Sequence, residues 1–318
     1  MADTRVGVLG VGHLGYHHAR NYAALERAAL VGVVDADATR ADKAAADFGT
    51  RRFASVSELI AAGVDAASVA VPTTAHHEVT LELLAAGVDV LVEKPIAATP
   101  AQAEEMVSAA AARQCMLQVG HIERFNGAVM AVSEVVTAPK FIECHRLSPY
   151  PSRGDDVSVV HDLMIHGLDI VLALVKSEVA SLDAVGVPVF SQYEDIANAR
   201  IRFASGCVAN LTSSRVSVER MRKIRIFDRN MYVSTDYSEQ QVMVYRKKPG
   251  PVPPDSLPME QITIESLPVK QEEPLKLELA SFIACVNERR RPVVSGEDGL
   301  AALRLAEQVT DFIRHQAQ

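Results

Sequence analysis

The sequence predicts an α/β amino-terminal domain with a parallel doubly wound sheet, followed by an α+β domain with a large, mostly antiparallel open sheet. At 318 residues the chain is too long for one ordinary core. Strands and helices alternate up to about residue 120, and a glycine-rich turn joins the first strand to the first helix. After a helix predicted at 158–175, strand-like segments follow one another from residue 181 to 246 without helices between them. We therefore expect domains at residues 1–121 and 122–318, and the sequence leaves open whether the last helix packs back on the first domain.

Composition limits the classes of partner. An apolar fraction of 48% with 23% charged residues is typical of a globular protein. The net charge of −8 argues against nucleic acid or an anionic membrane as the main partner. No apolar stretch reaches the roughly 18 to 20 residues of a membrane helix, and no signal peptide precedes the first strand, so we expect a cytoplasmic protein.

The four cysteines give no sign of a metal or disulfide framework. They lie far apart, without C-x-x-C spacing, and mostly among apolar neighbours. We interpret them as reduced structural thiols and expect no metal site.

The first strand, at residues 5–9, leads into a turn that predicts dinucleotide binding. Gly10, Gly12 and Gly15 form G-x-G-x-x-G, and a helix follows from about Leu14. The first glycine permits the turn, the second admits a pyrophosphate and the third lets helix and strand pack closely. We expect this turn, with His13 and Leu14, to bind the phosphates at the helix N-terminus.

The second strand, at residues 30–34, ends in an acidic residue. Asp35 lies 20 residues after Gly15, where a carboxylate can bind the adenosine ribose hydroxyls. That carboxylate would repel a 2′-phosphate, and Ala36 offers no cation to bind one. The prediction is NAD rather than NADP, weakened slightly by Arg40 on the following helix.

The alternation continues with further strands and helices. We expect strands at 66–71, 88–92 and 115–119 and helices at 76–86 and 100–113. Ligands of such sheets bind at the carboxyl ends of the strands. The residues expected at this edge are Pro72, Thr73, His76, Glu93 and Lys94.

A polar stripe marks the first long helix of the second domain, predicted at residues 158–175. The helix is apolar almost all round and should be buried, yet Asp162, His166 and Asp169 fall on one face. Such groups either form a hydrogen-bonded core network or line a cavity. Two ligands from one helix do not make a metal site, so we do not predict one here.

The rest of the chain is predicted as a run of strands, an exposed loop and two helices. The strands are expected at 181–190, 195–203, 207–214, 223–227, 231–235 and 241–246. The proline-rich segment 247–258 is predicted as an exposed loop, and helices are expected at 274–288 and 296–315.

Residues 212–227 concentrate positive charge in an otherwise acidic chain. Arg215, Arg220, Arg222, Lys223 and Arg225 could bind a diphosphate, with Arg215 the first candidate because it follows a polar strand end. A solvated strand face explains the same charges equally well.

Several motifs together resemble the Gfo/Idh/MocA family of NAD(P)-dependent oxidoreductases over essentially the full length. They are G-x-G-x-x-G-x-x-H ending at His18, PTTAH at 72–76, E-K-P at 93–95, VGHIERFN at 119–126, D-x-x-x-H-x-x-D from Asp162, EPLKLELASFI at 273–283 and RPVVSGEDGLAAL at 291–303. Any one motif alone would not be specific.

The resemblance implies roles for the site residues. Lys94 would contact the reacting hydroxyl, His166 would be the general acid/base, and Asp162 would orient it or bind a neighbouring hydroxyl. It also implies substrate contacts from His121, Arg124, Asn126, Asp162, His166 and Arg215, and a homo-oligomer, a dimer or tetramer, formed through the open sheet of the second domain.

The stretch 155–172 resembles the branch of the family that oxidises the C3 hydroxyl of UDP-N-acetylglucosamine. That implies a PLP-dependent sugar aminotransferase as functional partner, with the 3-amino sugar entering lipid A. A related UDP-sugar uronate 3-dehydrogenase, an inositol or free-sugar dehydrogenase, and a non-catalytic NAD-binding regulator remain alternatives.

Overall fold

The computed structural model describes residues 3–150, 157–250 and 257–316. Its contacts divide the chain into two compact units. The first comprises Met1–Ile122 and Glu273–Leu303, and the second comprises Glu123–Glu272 and Arg304–Gln318. Residues 273–303 thus cluster with the first unit, although they come late in the chain.

The first unit contains a parallel sheet of six strands, as the sequence predicts. In chain order these are β1 Thr4–Leu9, β2 Ala28–Val34, β3 Arg51–Phe53, β4 Ala66–Val69, β5 Asp89–Glu93 and β6 Leu117–Gly120. Their order across the sheet is β3-β2-β1-β4-β5-β6, and every neighbouring pair is parallel. The strand order therefore reverses between β1 and β4, which is where such folds bind ligands.

Helices connect these strands. They are α1 His13–Ala24, α2 Ala38–Phe48, α3 Val56–Ala61, α4 Thr73–Ala85 and α5 Pro100–Arg113. Local chemistry fixes several of their ends: the Asp37 side chain caps α2, Ser55 caps α3 and Thr99 caps α5. Strand β3 and helix α3 were not predicted, because three and six residues are too short to establish a period.

The late segment of the first unit contributes the helix α8, Pro274–Glu288. Its apolar residues recur at helical spacing and join one core cluster with β1 and α1. They are Leu275, Leu279, Phe282, Ile283 and Val286. An apolar stripe on a helix predicts that it is buried but not which sheet buries it, so the sequence division at residue 121 left α8 with the second domain.

The second unit is built on a sheet of eight strands. In chain order they are β7 Phe141–Leu147, β8 Val179–Val187, β9 Ile196–Phe203, β10 Val208–Ser214, β11 Met221–Phe227, β12 Met231–Asp236, β13 Gln241–Lys247 and β14 Ile262–Ser266. The order across the sheet is β14-β13-β12-β11-β7-β10-β9-β8. All neighbouring pairs are antiparallel except β7 with β10, which confirms the predicted mostly antiparallel sheet.

The sequence missed β7, which lies in the interior of this sheet. Its segment FIECHRL alternates buried and half-buried positions, but Glu143, His145 and Arg146 make it look polar. Strand β14 was also missed, because it is short and largely exposed at the sheet edge. Of the predicted loop at 247–258, residues 251–256 lie outside the described residues.

Two helices pack with this sheet, α6 Gly127–Val135 and α7 Ile165–Val175, and α9 Gly296–Gln316 closes the chain. A π-helical turn, Val160–Met164, precedes α7 directly. The prediction of one regular helix from residue 158 is therefore wrong over this turn. No helix within the described residues has both the length and the apolar character needed to cross a membrane.

Candidate active site

The glycine-rich turn between β1 and α1 is shaped for close approach of a ligand. Gly10 has a φ of +81°, and a Cβ there would lie 2.6 Å from the Ala70 carbonyl oxygen. A Cβ on Gly15 would lie 1.7 Å from the Gly10 carbonyl oxygen, so helix and strand can meet only at a glycine. Among the described residues, a Cβ on Gly12 would come within 4 Å of Arg40 Nη1 alone, at 3.7 Å. The backbone is therefore open at Gly12.

The N-terminus of α1 faces this opening. Gly12 is its N-cap, no side-chain hydrogen bond caps the helix within the described residues, and His13 and Leu14 form its exposed first turn. Free backbone N–H groups and the positive end of the helix dipole suit a phosphate.

A cavity of about 410 Å³ adjoins the turn. Gly10, Gly12, Asp35, Ala36, Val71 and Pro72 are among its lining residues, which come from the carboxyl ends of β1, β2 and β4. The arrangement of open glycine turn, cavity and terminal carboxylate fits the adenosine and diphosphate parts of a dinucleotide.

Asp35 is held rigidly at the edge of this cavity. Its Oδ2 accepts a hydrogen bond from the Val11 N–H at 2.7 Å, and its Oδ1 accepts one from the Asp37 N–H at 2.8 Å. Arg40 Nε is 3.0 Å from Asp37 Oδ2 and 3.9 Å from Asp35 Oδ1. Asp35 therefore presents fixed negative charge where a 2′-phosphate would have to bind, and Arg40 is already engaged by carboxylates. This agrees with NAD as the cofactor.

Pro72, Thr73 and His76 stand at the start of α4, but they differ in exposure. Pro72 is the N-cap, and Thr73 is the first helical residue. His76 is 1% exposed, with Nδ1 2.9 Å from the Pro95 carbonyl oxygen and Nε2 3.0 Å from that of Val71. Burial lowers the pKa of His76, and the two carbonyls partly oppose this. The His76 ring thus contacts the protein backbone on both sides, and its contact with the cofactor stays a prediction.

Lys94 follows β5 directly, at the same carboxyl edge of the sheet, and is half-buried. Its neighbour Glu93 is not placed as expected. The Glu93 carboxylate points inward, with Oε1 2.9 Å from His18 Nε2, and it is enclosed by Gly120. The Glu93 carboxylate thus contacts the protein, and its side chain is only 10% exposed. A cofactor contact from this position stays a prediction.

The predicted substrate residues of segment 119–126 also differ from one another. His121 is 1% exposed in the first unit. In the second unit, Arg124 Nη1 lies 3.3 Å from Asp169 Oδ1. Asn126 caps α6 through Oδ1 and donates from Nδ2 to the Tyr237 carbonyl oxygen at 2.9 Å, so its side-chain amide serves the fold. The substrate contact predicted for Asn126 stays a prediction.

Asp162 and His166 lie on either side of the junction between the π turn and α7. The Ile165 N–H donates to the Val160 carbonyl oxygen five residues earlier, which defines the wider turn. The π turn changes the helical period between Asp162 and His166 from the regular α-helical spacing that the sequence predicted. His166 is 6% exposed, and Asp162 is half-buried. Such turns occur frequently at functional sites.

Arg215 has a structural role that the sequence did not predict. Its side chain is fully buried, and Nε donates to Asp195 Oδ1 at 2.7 Å. Its Nη1 donates to the Val157 carbonyl oxygen at 2.7 Å, and its Nη2 to Ser191 Oγ at 3.0 Å. Arg215 has no exposed surface for a diphosphate, and the expectation that it binds one is corrected.

The sequence did not predict that two arginines, Arg146 and Arg222, share one carboxylate. Arg146 Nη1 is 2.7 Å and Arg222 Nη1 is 3.4 Å from the same atom, Glu123 Oε1. Burial tends to lower the pKa of Arg146, but the charges of Glu123 and Tyr237 outweigh it and the pKa is raised. Arg222 is 49% exposed, so positive charge reaches the surface here. The sequence placed Arg222 in the basic segment but gave no sign that Arg146 on β7 would join it.

No group of three or more His, Cys, Asp or Glu side chains within the described ranges could hold a metal ion. The four cysteines are free thiols, and Cys144, Cys207 and Cys285 are buried.

Comparison with known proteins identifies relatives for both parts of the chain. The Gfo/Idh/MocA oxidoreductase profile, described as an NAD-binding Rossmann fold, matches residues 4–121. The profile of the Gfo/Idh/MocA C-terminal domain matches residues 132–232.

Individual relatives cover nearly the whole length. The chain is 36% identical over 310 residues to the UDP-N-acetylglucosamine 3-dehydrogenase of Acidithiobacillus ferrooxidans, covering 97% of each chain. A solved structure of that enzyme matches with a TM-score of 0.93 and 35% identity, covering 100% of both chains. The scyllo-inositol 2-dehydrogenase (NAD(+)) of Bacillus subtilis is 25% identical, over 98% of this chain and 95% of that one.

Proposed function

The chain belongs to the Gfo/Idh/MocA family of NAD-binding oxidoreductases, and from that membership we propose that it oxidises the C3 hydroxyl of UDP-N-acetylglucosamine to the 3-keto sugar. The observation that carries the proposal is the similarity, 36% identity over 97% of both chains, to an enzyme named for that reaction. The match of the solved structure at a TM-score of 0.93 supports it.

The chemistry requires loss of a hydride from C3 and of a proton from the C3 hydroxyl. NAD, when bound, supplies the hydride acceptor. Lys94 would stabilise the negative charge that develops on the C3 oxygen. His166 would take the hydroxyl proton as general base and pass it to water, while Asp162 would orient the ring or bind a neighbouring hydroxyl.

The cofactor would be held by the first unit alone. Gly10, Gly12 and Gly15 would form the cradle for the diphosphate, with backbone N–H groups of His13 and Leu14 directed to it. Asp35 would bind the ribose hydroxyls, and Pro72 and Thr73 would border the adjoining cavity.

The product suggests the partners. A 3-keto sugar is the acceptor that a PLP-dependent sugar aminotransferase consumes, so we propose such an enzyme as functional partner, with the 3-amino sugar entering lipid A synthesis in the cytoplasm.

We further propose that the chain assembles as a homo-oligomer through the second-unit sheet. Four half-exposed aromatic rings cross neighbouring strands: Phe141, Phe227, Tyr232 and Tyr245. Their successive centroids are 5.7, 4.8 and 5.1 Å apart, and an aromatic row on a sheet face suits burial against a second copy. Sedimentation at the mass of a monomer, 34.3 kDa, would refute this.

The reaction can be tested by NADH absorbance. Purified protein is mixed with NAD and UDP-N-acetylglucosamine, with an amino donor and the aminotransferase present to remove the ketone. We expect a rise that free N-acetylglucosamine does not give. Any sugar-dependent NADH formation excludes the non-catalytic regulator.

Inositol or free-sugar oxidation is the second candidate, because several similar proteins are inositol 2-dehydrogenases. Free sugars carry no diphosphate, so charge near the substrate distinguishes the two candidates. The exposed Arg222, which shares Glu123 with Arg146, is our candidate for contact with the diphosphate.

Replacing Arg222 with alanine is expected to raise KM for UDP-N-acetylglucosamine about tenfold, corresponding to ~1.4 kcal/mol, with little change in kcat. The control is Arg229→Ala. Arg229 is an exposed arginine in the turn between β11 and β12, away from Glu123. Equal KM values for the two variants would favour a substrate without a diphosphate.

A further inference from the structure

The carboxylate of Glu93 is buried at the end of β5, immediately before Lys94. Its Oε1 lies 2.9 Å from Nε2 of His18, whose side chain is 0% exposed. A carboxylate in its ionised form only accepts hydrogen bonds, so the His18 tautomer with hydrogen on Nε2 is the one that can donate to it. His18 Nδ1 is also buried, and no hydrogen-bond partner for it is found within the described residues. Glu93 is therefore the polar contact that defines the orientation of this ring.

The second oxygen of Glu93 reaches the backbone of Lys94. The Lys94 N–H donates to Glu93 Oε2 at 3.3 Å, so the carboxylate joins the α1 histidine to the peptide that carries the lysine. A Cβ on Gly120 would lie 2.8 Å from the carboxyl carbon and from both oxygens. Because a Cβ there would collide with the carboxylate, the glycine on β6 leaves the room that the Glu93 carboxylate fills.

The other side of the same turn is held by a second buried histidine. His76 Nδ1 lies 2.9 Å from the carbonyl oxygen of Pro95, the residue after Lys94. Its Nε2 lies 3.0 Å from the Val71 carbonyl at the end of β4. Lys94 is therefore flanked by two residues, Glu93 and Pro95, that each lie next to a buried imidazole.

We propose that His18 is a positioning residue for Lys94, acting through the Glu93 carboxylate. His18 lies on α1, the helix whose N-terminus borders the dinucleotide cradle, so the contact ties the cofactor-binding helix to the lysine. The role assigned to Lys94 rests on the proposed function, but the geometry of the His18, Glu93 and Lys94 chain does not.

The test compares His18→Leu with His18→Gln. Leucine cannot donate to Glu93, whereas the glutamine amide can place an N–H near the position of Nε2. We expect kcat to fall by about 10²-fold in His18→Leu, because a small displacement of a reacting group costs that much, and to stay within a few-fold in His18→Gln. The pH profile of kcat should shift in the leucine variant alone.

A substrate-free readout separates this proposal from the choice of sugar. The pH dependence of Lys94 acetylation by acetic anhydride, followed by peptide mass spectrometry, should change in His18→Leu and not in His18→Gln. The pH dependence of Lys94 acetylation can differ between wild type and His18→Leu even if UDP-N-acetylglucosamine is not oxidised. In that case His18 does position Lys94, and the proposed substrate is wrong. Unchanged acetylation in the leucine variant would overturn positioning.

The chain offers a matched control and a second variant. His77 Nε2 pairs with Glu105 Oε2 at 2.8 Å near the surface, so His77→Leu removes the same kind of contact and should change neither readout. Gly120→Ala keeps His18 but adds a Cβ that would displace the Glu93 carboxylate. If His18→Leu does not fold, Gly120→Ala should show the same change in the pH profile of kcat and in Lys94 acetylation.

A double variant tests whether His18 acts through Glu93. Replacing His18 by Leu and Glu93 by Gln together should lower kcat by as much as Glu93→Gln alone. Losses that add would overturn the proposed route through Glu93.

Discussion

Replacing Lys94 with methionine is expected to lower kcat for UDP-N-acetylglucosamine oxidation by about 10³-fold. Methionine keeps most of the side-chain length but removes the cation that would stabilise the C3 oxygen as its proton leaves. Because the proposed diphosphate and adenosine contacts lie at the glycine turn and at Asp35, NAD binding should be retained. Steady-state kinetics and NAD titration of the purified variant measure the two effects separately.

The matched control is Lys43→Met. Lys43 is a surface lysine of the same unit whose side chain is 65% exposed and paired with Asp47. This variant should keep wild-type kcat. Normal turnover by Lys94→Met would remove the lysine from the mechanism, whatever the substrate proves to be.

Replacing Arg215 with methionine is expected to destabilise the second unit by about 3 to 5 kcal/mol. Methionine fills much of the volume but leaves the Asp195 carboxylate buried without its partner at 2.7 Å. The free energy of unfolding, from urea titrations with unchanged m-values, measures the loss. Arg200→Met is the control, since Arg200 is an exposed residue bonded to Asn210, and its effect should stay within about 0.5 kcal/mol.

The ion pair of Arg215 with Asp195 also determines how stability changes at acid pH. Burial raises the pKa of Asp195, but N–H donors of Ser191, Phe190 and Val189 and the Arg215 guanidinium outweigh it, so the pKa lies well below the ordinary value. A depressed folded-state pKa adds stability above the unfolded pKa of about 3.9, and that stability is lost as the pH falls below it. Without Arg215 the pKa of Asp195 in the folded protein rises. The Arg215→Met variant should therefore lose less stability than wild type when the pH is lowered. A wild-type acid response in Arg215→Met would contradict this.

Much of the first unit could be predicted from sequence because its constraints are local. The turn requires glycine at Gly10 and Gly15 for steric reasons within a few residues, and Asp35 follows its strand directly. Parallel strands with short connections leave few possible topologies, and the predicted fold class and family are confirmed.

What the sequence could not predict depends on residues far apart in the chain. Arg215 looked like a diphosphate ligand because its partner, Asp195, is brought to it only by the sheet. The contact of Glu93 with His18 was not predicted, because the two residues are 75 positions apart. The π turn at Asp162 left no signal, because the segment is apolar almost all round and has no apolar stripe for a wide turn to displace. The roles of Lys94, Asp162 and His166 stay predictions.

The most direct measurement uses UDP-N-acetylglucosamine that carries deuterium at C3. The enzyme is incubated with this substrate, NAD and the ketone-trapping aminotransferase, and the reduced cofactor is examined by mass spectrometry. Oxidation at C3 predicts that deuterium is recovered in the reduced cofactor. Reduced cofactor without deuterium would show that hydride leaves another carbon, and no reduction at all while NAD still binds would exclude this sugar as the substrate.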